Sequence, residues 1–213
     1  MYGAACTAKA EAVKATRDLR ILYPERYHNE LALRLQSYFA SLHKCGMREA
    51  ACNAMEESVR LTRGLHRHAR RRRYGNELAD RLEQYGVSLH ARSMYEAACT
   101  AKAEAVELTR ELQLLHPHQF HDELALRLES YGASLHKRRM YKAACNAKAE
   151  AVALTRHLPD RYHNELELRL KYYRVSLQAG GMHPDTTELR HNLRVLRLDG
   201  VKDDPKSPKP GTR

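Results

Sequence analysis

The chain is poor in the features by which enzymes and membrane proteins are recognised. It has no tryptophan and only two phenylalanines. No run of 18 or more apolar residues occurs, so no segment is read as a membrane-crossing helix. It has no phosphate-cradling GxxxxGK[ST], no dinucleotide-binding GxGxxG, no GxSxG nucleophile turn and no HExxH metal pair. Cysteine occurs five times but never as CxxC, which leaves neither a zinc ribbon nor a redox dithiol legible. No basic segment followed by an apolar one stands at the start, so no secretory leader is read there. The thiols are therefore expected to be reduced and half-buried, in an intracellular protein. Together these absences predict a non-enzyme without cofactor or metal, cytoplasmic, with the nucleus as the alternative.

Acidic residues are in deficit, and the net charge is +11. Five of the positive charges lie in one stretch, "RHARRRR", comprising Arg67, Arg70, Arg71, Arg72 and Arg73. The remainder of the surface is of ordinary charge. This run has two readings. It is a solvated connection, standing where Pro24 and Pro117 stand elsewhere, or it is a patch for acidic proteins or nucleic-acid phosphate, or a nuclear import signal. No aromatic residues are interleaved with it, which argues against base stacking.

What the chain does contain is repetition. "MYEAACTAKAEAVELTR" from Met94 returns as "MYKAACNAKAEAVALTR" from Met140 with three of seventeen residues changed, and related copies start at Met1 and Met47. These markers lie 46, 47 and 46 residues apart, whereas Ser41, Ser88, Ser134 and Ser176 lie 47, 46 and 42 apart. The last unit has lost four residues, about one helical turn, before Pro159.

Within each unit the apolar residues recur at helical spacing. Leu124, Leu128, Tyr131 and Leu135 form one stripe of a first helix. Asp122, with Asn29, Asn76 and Asn164 as its copies, is expected to be its N-cap. Glu30 and Arg34, Glu77 and Arg81, Glu123 and Arg127, and Glu165 and Arg169 are set one turn apart, each pair contributing roughly 0.2 to 0.5 kcal/mol. The quoted stretch is a second helix with two stripes. One runs through Met94, Ala98, Ala101, Ala105, Leu108 and Leu112, and the other through Tyr95, Cys99 and Val106. A helix that is apolar on two faces needs cover from two sides, which in a tandem array come from its own partner and from the first helix of the next unit.

Leu82, Tyr85, Gly86, Leu89, Tyr95, Ala98 and Ala105 fall at the spacing of the tetratricopeptide repeat, as do Leu128, Tyr131, Gly132, Leu135, Tyr141, Ala144 and Ala151. The chain resembles that family over residues 1 to about 198. It departs by placing Lys102 and Lys148 where the signature wants Phe, and by a period about twelve residues longer than 34. Long units with "HP" before the first helix, as at His116 and Pro117, are similar to the kinesin-light-chain-like type. The resemblance implies an all-α, right-handed solenoid of about four antiparallel helix pairs acting as an interaction scaffold. Residues 2 to 22 read as a second helix whose first helix is missing, leaving an apolar face uncovered. "HPDTTELRHNLRVLRL" reads as a divergent terminal unit, and 199–213 as a disordered basic, Pro-rich tail.

The groove implied by such an array is lined by the first helices. Its candidate residues are Gln36, Ala40, His43 and Lys44, then Glu83, Val87 and His90, then Glu129, Ala133, His136 and Lys137, and finally Lys171, Val175 and Gln178. The expected ligand is a peptide or helix of a partner protein, acidic by preference. The rival reading is a spacer without a ligand, and polyanion binding through Arg70 to Arg73 is a third. His43, His90 and His136 are copies of one site on successive first helices. These helices are expected to be kept apart by the second helix between them, too far for one metal ion to bridge. The histidines then form a solvated row, gaining charge between about pH 7 and 5.5 and tightening on acidic peptides. Cys99, in the packed second helix, has no activating partner in the sequence and is not read as a nucleophile.

Overall fold

The computed structural model describes residues 2–68, 71–116, 119–156 and 163–182. Their regular structure is eight α-helices: α1 (Tyr2–Leu22), α2 (Pro24–Lys44), α3 (Arg48–His68), α4 (Arg71–Ala91), α5 (Tyr95–Leu115), α6 (His121–Lys137), α7 (Tyr141–Arg156) and α8 (His163–Ala179). The even-numbered helices are the first helices of the units and the odd-numbered ones the second helices. Each helix packs on the next along the whole array. The fold is the expected all-α solenoid of helix pairs. The four-residue loss before Pro159, the terminal unit and the tail lie outside the described residues.

One turn closes every pair. Gly46, Ser93, Arg139 and Gly181 all hold φ between 62 and 73°. The amides of Met47, Met94, Met140 and Met182 each donate to the carbonyl five residues back, at 3.0 Å. This is a left-handed residue followed by the six-to-one hydrogen bond that ends a helix without stranding its carbonyls.

The helix starts differ from expectation. Tyr23 precedes α2 and Pro24 sits in its first turn, so Asn29 lies well inside the helix. Phe120 stands at the cap of α6, with Asp122 already in its first turn. Asn76 and Asn164 lie inside α4 and α8. Proline at a helix start comes with φ already helical, and it nucleates α2 about a turn before the asparagine could act.

The core repeats as faithfully as the sequence. Leu124, Leu128 and Leu135 of α6 pack between Cys99 and Val106 of α5 on one side and Ala144, Ala147 and Ala151 of α7 on the other. Leu78, Leu82 and Leu89 of α4 lie in the same way between α3 and α5. Leu31, Leu35 and Leu42 of α2 lie between α1 and α3. Leucine thus meets alanine across each pair, and each such leucine contributes about 1.5 to 3 kcal/mol of burial. In α1, Ala5 and Ala8 are exposed where their copies Ala98 and Ala101 are buried. No first helix covers this face among the described residues.

The two lysines that replace the signature's Phe are buried, Lys102 at 3% and Lys148 at 7% exposure. Glycine on the first helix makes room for them. A Cβ on Gly86 would stand 2.6 Å from Lys102 Cγ, and one on Gly132 would stand 2.9 Å from Lys148 Cγ. The ammonium groups reach out of the apolar contact to the next first helix. Lys102 Nζ donates to the Ser130 carbonyl at 3.1 Å, and Lys148 Nζ to the Ser176 hydroxyl at 2.7 Å and the Tyr172 carbonyl at 3.2 Å. In the first complete unit the corresponding pair of positions holds Phe39 and Met55. Bulk on the first helix therefore goes with an apolar chain on the second.

Arginine gives the second departure. Arg81, Arg127 and Arg169 are under 5% exposed and are not surface ion pairs. Each donates to a threonine of the preceding second helix, Arg81 to Thr62 at 2.5 Å, Arg127 to Thr109 and Arg169 to Thr155. The threonines in turn donate to their own helix carbonyls four residues back. Arg127 also reaches Asp80 and Arg169 reaches Glu129 at 3.2 Å, both on the preceding first helix. The expected pairs with Glu30, Glu77 and Glu165 form at 2.8, 3.3 and 3.5 Å, whereas Arg127 uses Asp80 in place of Glu123.

Two substitutions test this packing. Gly132→Leu should cost about 1 to 3 kcal/mol in thermal unfolding followed by circular dichroism, because the added chain meets the Lys148 stem. Gly132→Phe combined with Lys148→Met, which copies the first complete unit, should lose less than Gly132→Phe alone. Thr109→Val removes an acceptor from a buried guanidinium and should cost about 1 to 3 kcal/mol. Thr16→Val, whose counterpart arginine, Arg34, is exposed and pairs with Glu30, should cost clearly less in the same melt.

Candidate functional site

Each first helix presents four faces. The leucine stripe is buried between two second helices. One flank meets the preceding first helix, the other meets the following one, and the face opposite the stripe looks outward. With about 100° per residue, Leu126, Ala133 and Lys137 of α6 fall on the outward face. Glu129 and His136 fall on the flank toward α8, and Arg127, Ser130 and Ser134 on the flank toward α4.

The flanks are joined by polar bonds. His90 Nδ1 lies 2.8 Å from the Ser134 hydroxyl, and His136 Nδ1 lies 3.1 Å from the Ser176 hydroxyl. Gln36 Nε2 lies 3.5 Å from Gln84 Oε1. Both histidines also stack edge-on against the tyrosine that opens the next helix, Tyr95 at 5.1 Å and Tyr141 at 5.3 Å between ring centroids. Successive first helices are thus in direct contact, as α4 and α6 show. The expected separation by a whole second helix is corrected. A small Ser beside His lets the two first helices close over the second helix that lies behind them.

The histidine row is accordingly not a solvated one. His90 and His136 are half-buried, and only His43 is exposed. Burial first, then the charges of Lys102 and Lys137, lowers the pKa of His90 from its ordinary value. Burial, Lys148 and Lys137 do the same for His136. The expected gain of charge between pH 7 and 5.5 is therefore displaced to lower pH at these two sites. Glu83, between Lys102 and Ser130, is pushed up by burial, an effect partly offset by Ser130 and then by Lys102 and Arg127.

Among the nominated groove residues, the structure separates two groups. Gln36, Glu83, His90, Glu129 and His136 occupy the flanks between units. Ala40, Lys44, Val87, Ala133, Lys137, Lys171, Val175 and Gln178 are exposed, as is His43. Three exposed leucines join this second group: Leu33, Leu126 and Leu168, at 45, 55 and 46% exposure. They are copies of one position, seven residues before Ala40, Ala133 and Val175, and so two turns away on the same face. The sequence reading missed them, although a leucine two residues out of the core stripe in three units was the available signal.

The second helices carry a seam of their own. Arg17 pairs with Glu57, Arg63 with Glu104 at 2.6 Å and Arg110 with Glu150 at 2.5 Å, linking α1, α3, α5 and α7 in series. Beneath it lie half-buried phenols. Burial pushes the Tyr85 pKa up to about 12, and Tyr131 is raised for the same reason. A hollow of about 240 Å³ between α5 and α7 is floored by Leu128 and Tyr131 and rimmed by Arg110 and Glu150.

The arginine run is not wholly a connection. Arg67 lies exposed near the end of α3, and Arg71, Arg72 and Arg73 form the first turn of α4. Arg70 lies outside the described residues. Positive charge at a helix start opposes the helix dipole, so the run does not favour the helix it opens. No group of three or more potential metal ligands is found among the described residues, and none of the helices is long and apolar enough to cross a membrane.

No family model matches the chain, and no curated protein matches it. Among solved structures it is similar to BtubC (BKLC) from P. vanneervenii, at 10% identity over 100% of this chain and 98% of that one, with a TM-score of 0.49.

The flank geometry has a measurable consequence. A histidine whose folded pKa is depressed contributes stability that is fully present above its ordinary pKa and is lost as pH falls through the folded one. The urea midpoint should therefore fall from about pH 6.5 downward, and His90→Gln with His136→Gln should flatten that slope. An unchanged slope in the double variant would place the acid sensitivity elsewhere.

Proposed function

We propose that the chain is a tetratricopeptide-type interaction scaffold whose outward first-helix face docks an apolar segment of another protein. The observation that carries this reading is the exposed row of Leu33, Ala40, Val87, Leu126, Ala133, Leu168 and Val175, on four successive first helices. Apolar residues scattered singly over a surface need no explanation, whereas apolar residues repeated at the outward positions of successive helices suit an interaction site. Exposed Lys44, Lys137 and Lys171 border the row, so a segment with apolar anchors and acidic neighbours fits it best.

In this reading the histidines shape the surface and do not grip the ligand. His90 and His136 are occupied by serine hydroxyls of the next unit. Of the three copies, only His43 is left exposed to touch a partner. Specificity then comes from the lysines and from the spacing of the apolar anchors.

The test is a peptide-display selection on the immobilised chain. Selected peptides should be enriched in acidic and apolar residues, and should lose about tenfold or more in affinity, 1.4 kcal/mol, to Val87→Glu or Leu126→Glu. Asn146→Glu, on the exposed side of a second helix, should leave affinity and melting temperature unchanged. Peptides that all bind the second-helix side would overturn the first-helix face as the docking surface, and no selectable peptide at all would favour the spacer reading.

A further inference from the structure

The cysteines of the second helices are copies of one position: Cys6, Cys52, Cys99 and Cys145. Each second helix lies beside the turn that ends the next first helix. Arg92 and Arg138 stand at one position of that turn in two units, and the Arg138 charge acts on the Cys99 thiol, partly offsetting the rise that burial causes in its pKa. In the α1–α2 junction the same position holds Cys45, the cap residue of α2. The two sulfurs, Cys6 Sγ and Cys45 Sγ, lie 3.2 Å apart, between residues 39 positions apart in sequence.

We propose that Cys6 and Cys45 form a reversible disulfide that latches α1 to the end of α2. The sulfurs need to approach by only about 1 Å to reach bonding distance, near 2.04 Å. No other described sulfurs are this close, and Cys52, Cys99 and Cys145 stay buried, free thiols.

The reaction takes a low-molecular-weight disulfide as oxidant. Cys45, the more exposed thiol, loses its proton to water and attacks one sulfur of that disulfide, expelling one thiolate and leaving a mixed disulfide on Cys45. Cys6 then loses its proton and attacks the Cys45 sulfur, expelling the second thiolate. Two protein thiols are oxidised by two electrons, one small disulfide is reduced to two thiols, and the protons end on those thiols. The Cys6 pKa is raised first by its hydrogen bond to Cys45 and then by burial; burial persists once Cys45 is in the mixed disulfide, so closure is slow at neutral pH and faster in mild alkali.

The bond ties α1 to the first helix on which it packs. α1 packs on α2, and its other face exposes Ala5, Ala8, Ile21 and Leu22. Beyond α2 it is tied by the Arg17–Glu57 pair to α3. A covalent link at its first turns fixes the start of α1 to the end of α2, in addition to that ion pair.

The full chain, incubated with oxidised and reduced glutathione in varied ratio at pH 8, is alkylated under denaturing conditions and mapped by mass spectrometry. The expected product is an intramolecular Cys6–Cys45 disulfide, two hydrogens lighter, with Cys52, Cys99 and Cys145 alkylated and with the α1 amides exchanging hydrogen more slowly than in the reduced chain. Cys45→Arg, which copies the second unit, should abolish the product, and Cys52→Ser should keep it. Persistent glutathione on Cys45, a disulfide between two chains, or no oxidation at ratios that oxidise exposed dithiols would each overturn the proposal.

Discussion

The array depends on a guanidinium that cannot be satisfied within its own unit. Arg81, Arg127 and Arg169 are carried on first helices, yet they end on threonines of the second helix before them, and Arg127 and Arg169 also on carboxylates of the first helix before them. A charge removed from water is costly unless it is paired and hydrogen-bonded, so the units of Arg81, Arg127 and Arg169 each draw stability from the unit before them. Arg34, the fourth copy, shows the converse. No earlier first helix adjoins it among the described residues, and it lies 44% exposed against Glu30. Leucine meeting alanine supplies most of the favourable burial. The arginine decides which neighbour, and in which register.

Much of the fold was legible because the repeat exposes it. Periods of 46 and 47 residues, a leucine stripe and alanine-rich partners fix helix pairs, their order and their cores with no need of distant contacts. Single-residue pairs were harder. Glu30 before Arg34 and Glu77 before Arg81 look alike in sequence, but one arginine is exposed and the other buried, because burial depends on what stands in front of the unit. Lys102 and Lys148 look like departures from an apolar site. They remain buried because Gly86 and Gly132 clear a channel for their stems, a pairing that crosses two helices and carries no local signature. The Cys6–Cys45 approach is hidden for the same reason, since the two residues meet only through the packing of α1 on α2.

The candidate surface is what these junctions leave over. Of the groove residues nominated from helical position alone, those on the flanks are spent on holding units together, through His90, His136, Glu129 and Gln36. Those on the outward face remain exposed, and the leucines at 33, 126 and 168 belong with them. Helical position tells outward from inward, but a flank residue can face either solvent or a neighbour. Only the distance between successive first helices settles which, and small serines at 134 and 176 set that distance here.

The identical turns after Lys44, Ala91, Lys137 and Ala179 give this architecture an unusual tolerance to recombination. Each turn is closed by hydrogen bonds within its own six residues, so nothing in it refers to the number of units before or after. Exchange between equivalent points of two units, such as Met47 and Met94, adds or removes a whole period while leaving every turn and every remaining arginine–threonine bond intact. Exchange out of phase by one helix instead brings two helices of the same kind together, leucine against leucine and an arginine without its threonine. Changes in array length are thereby confined to whole periods.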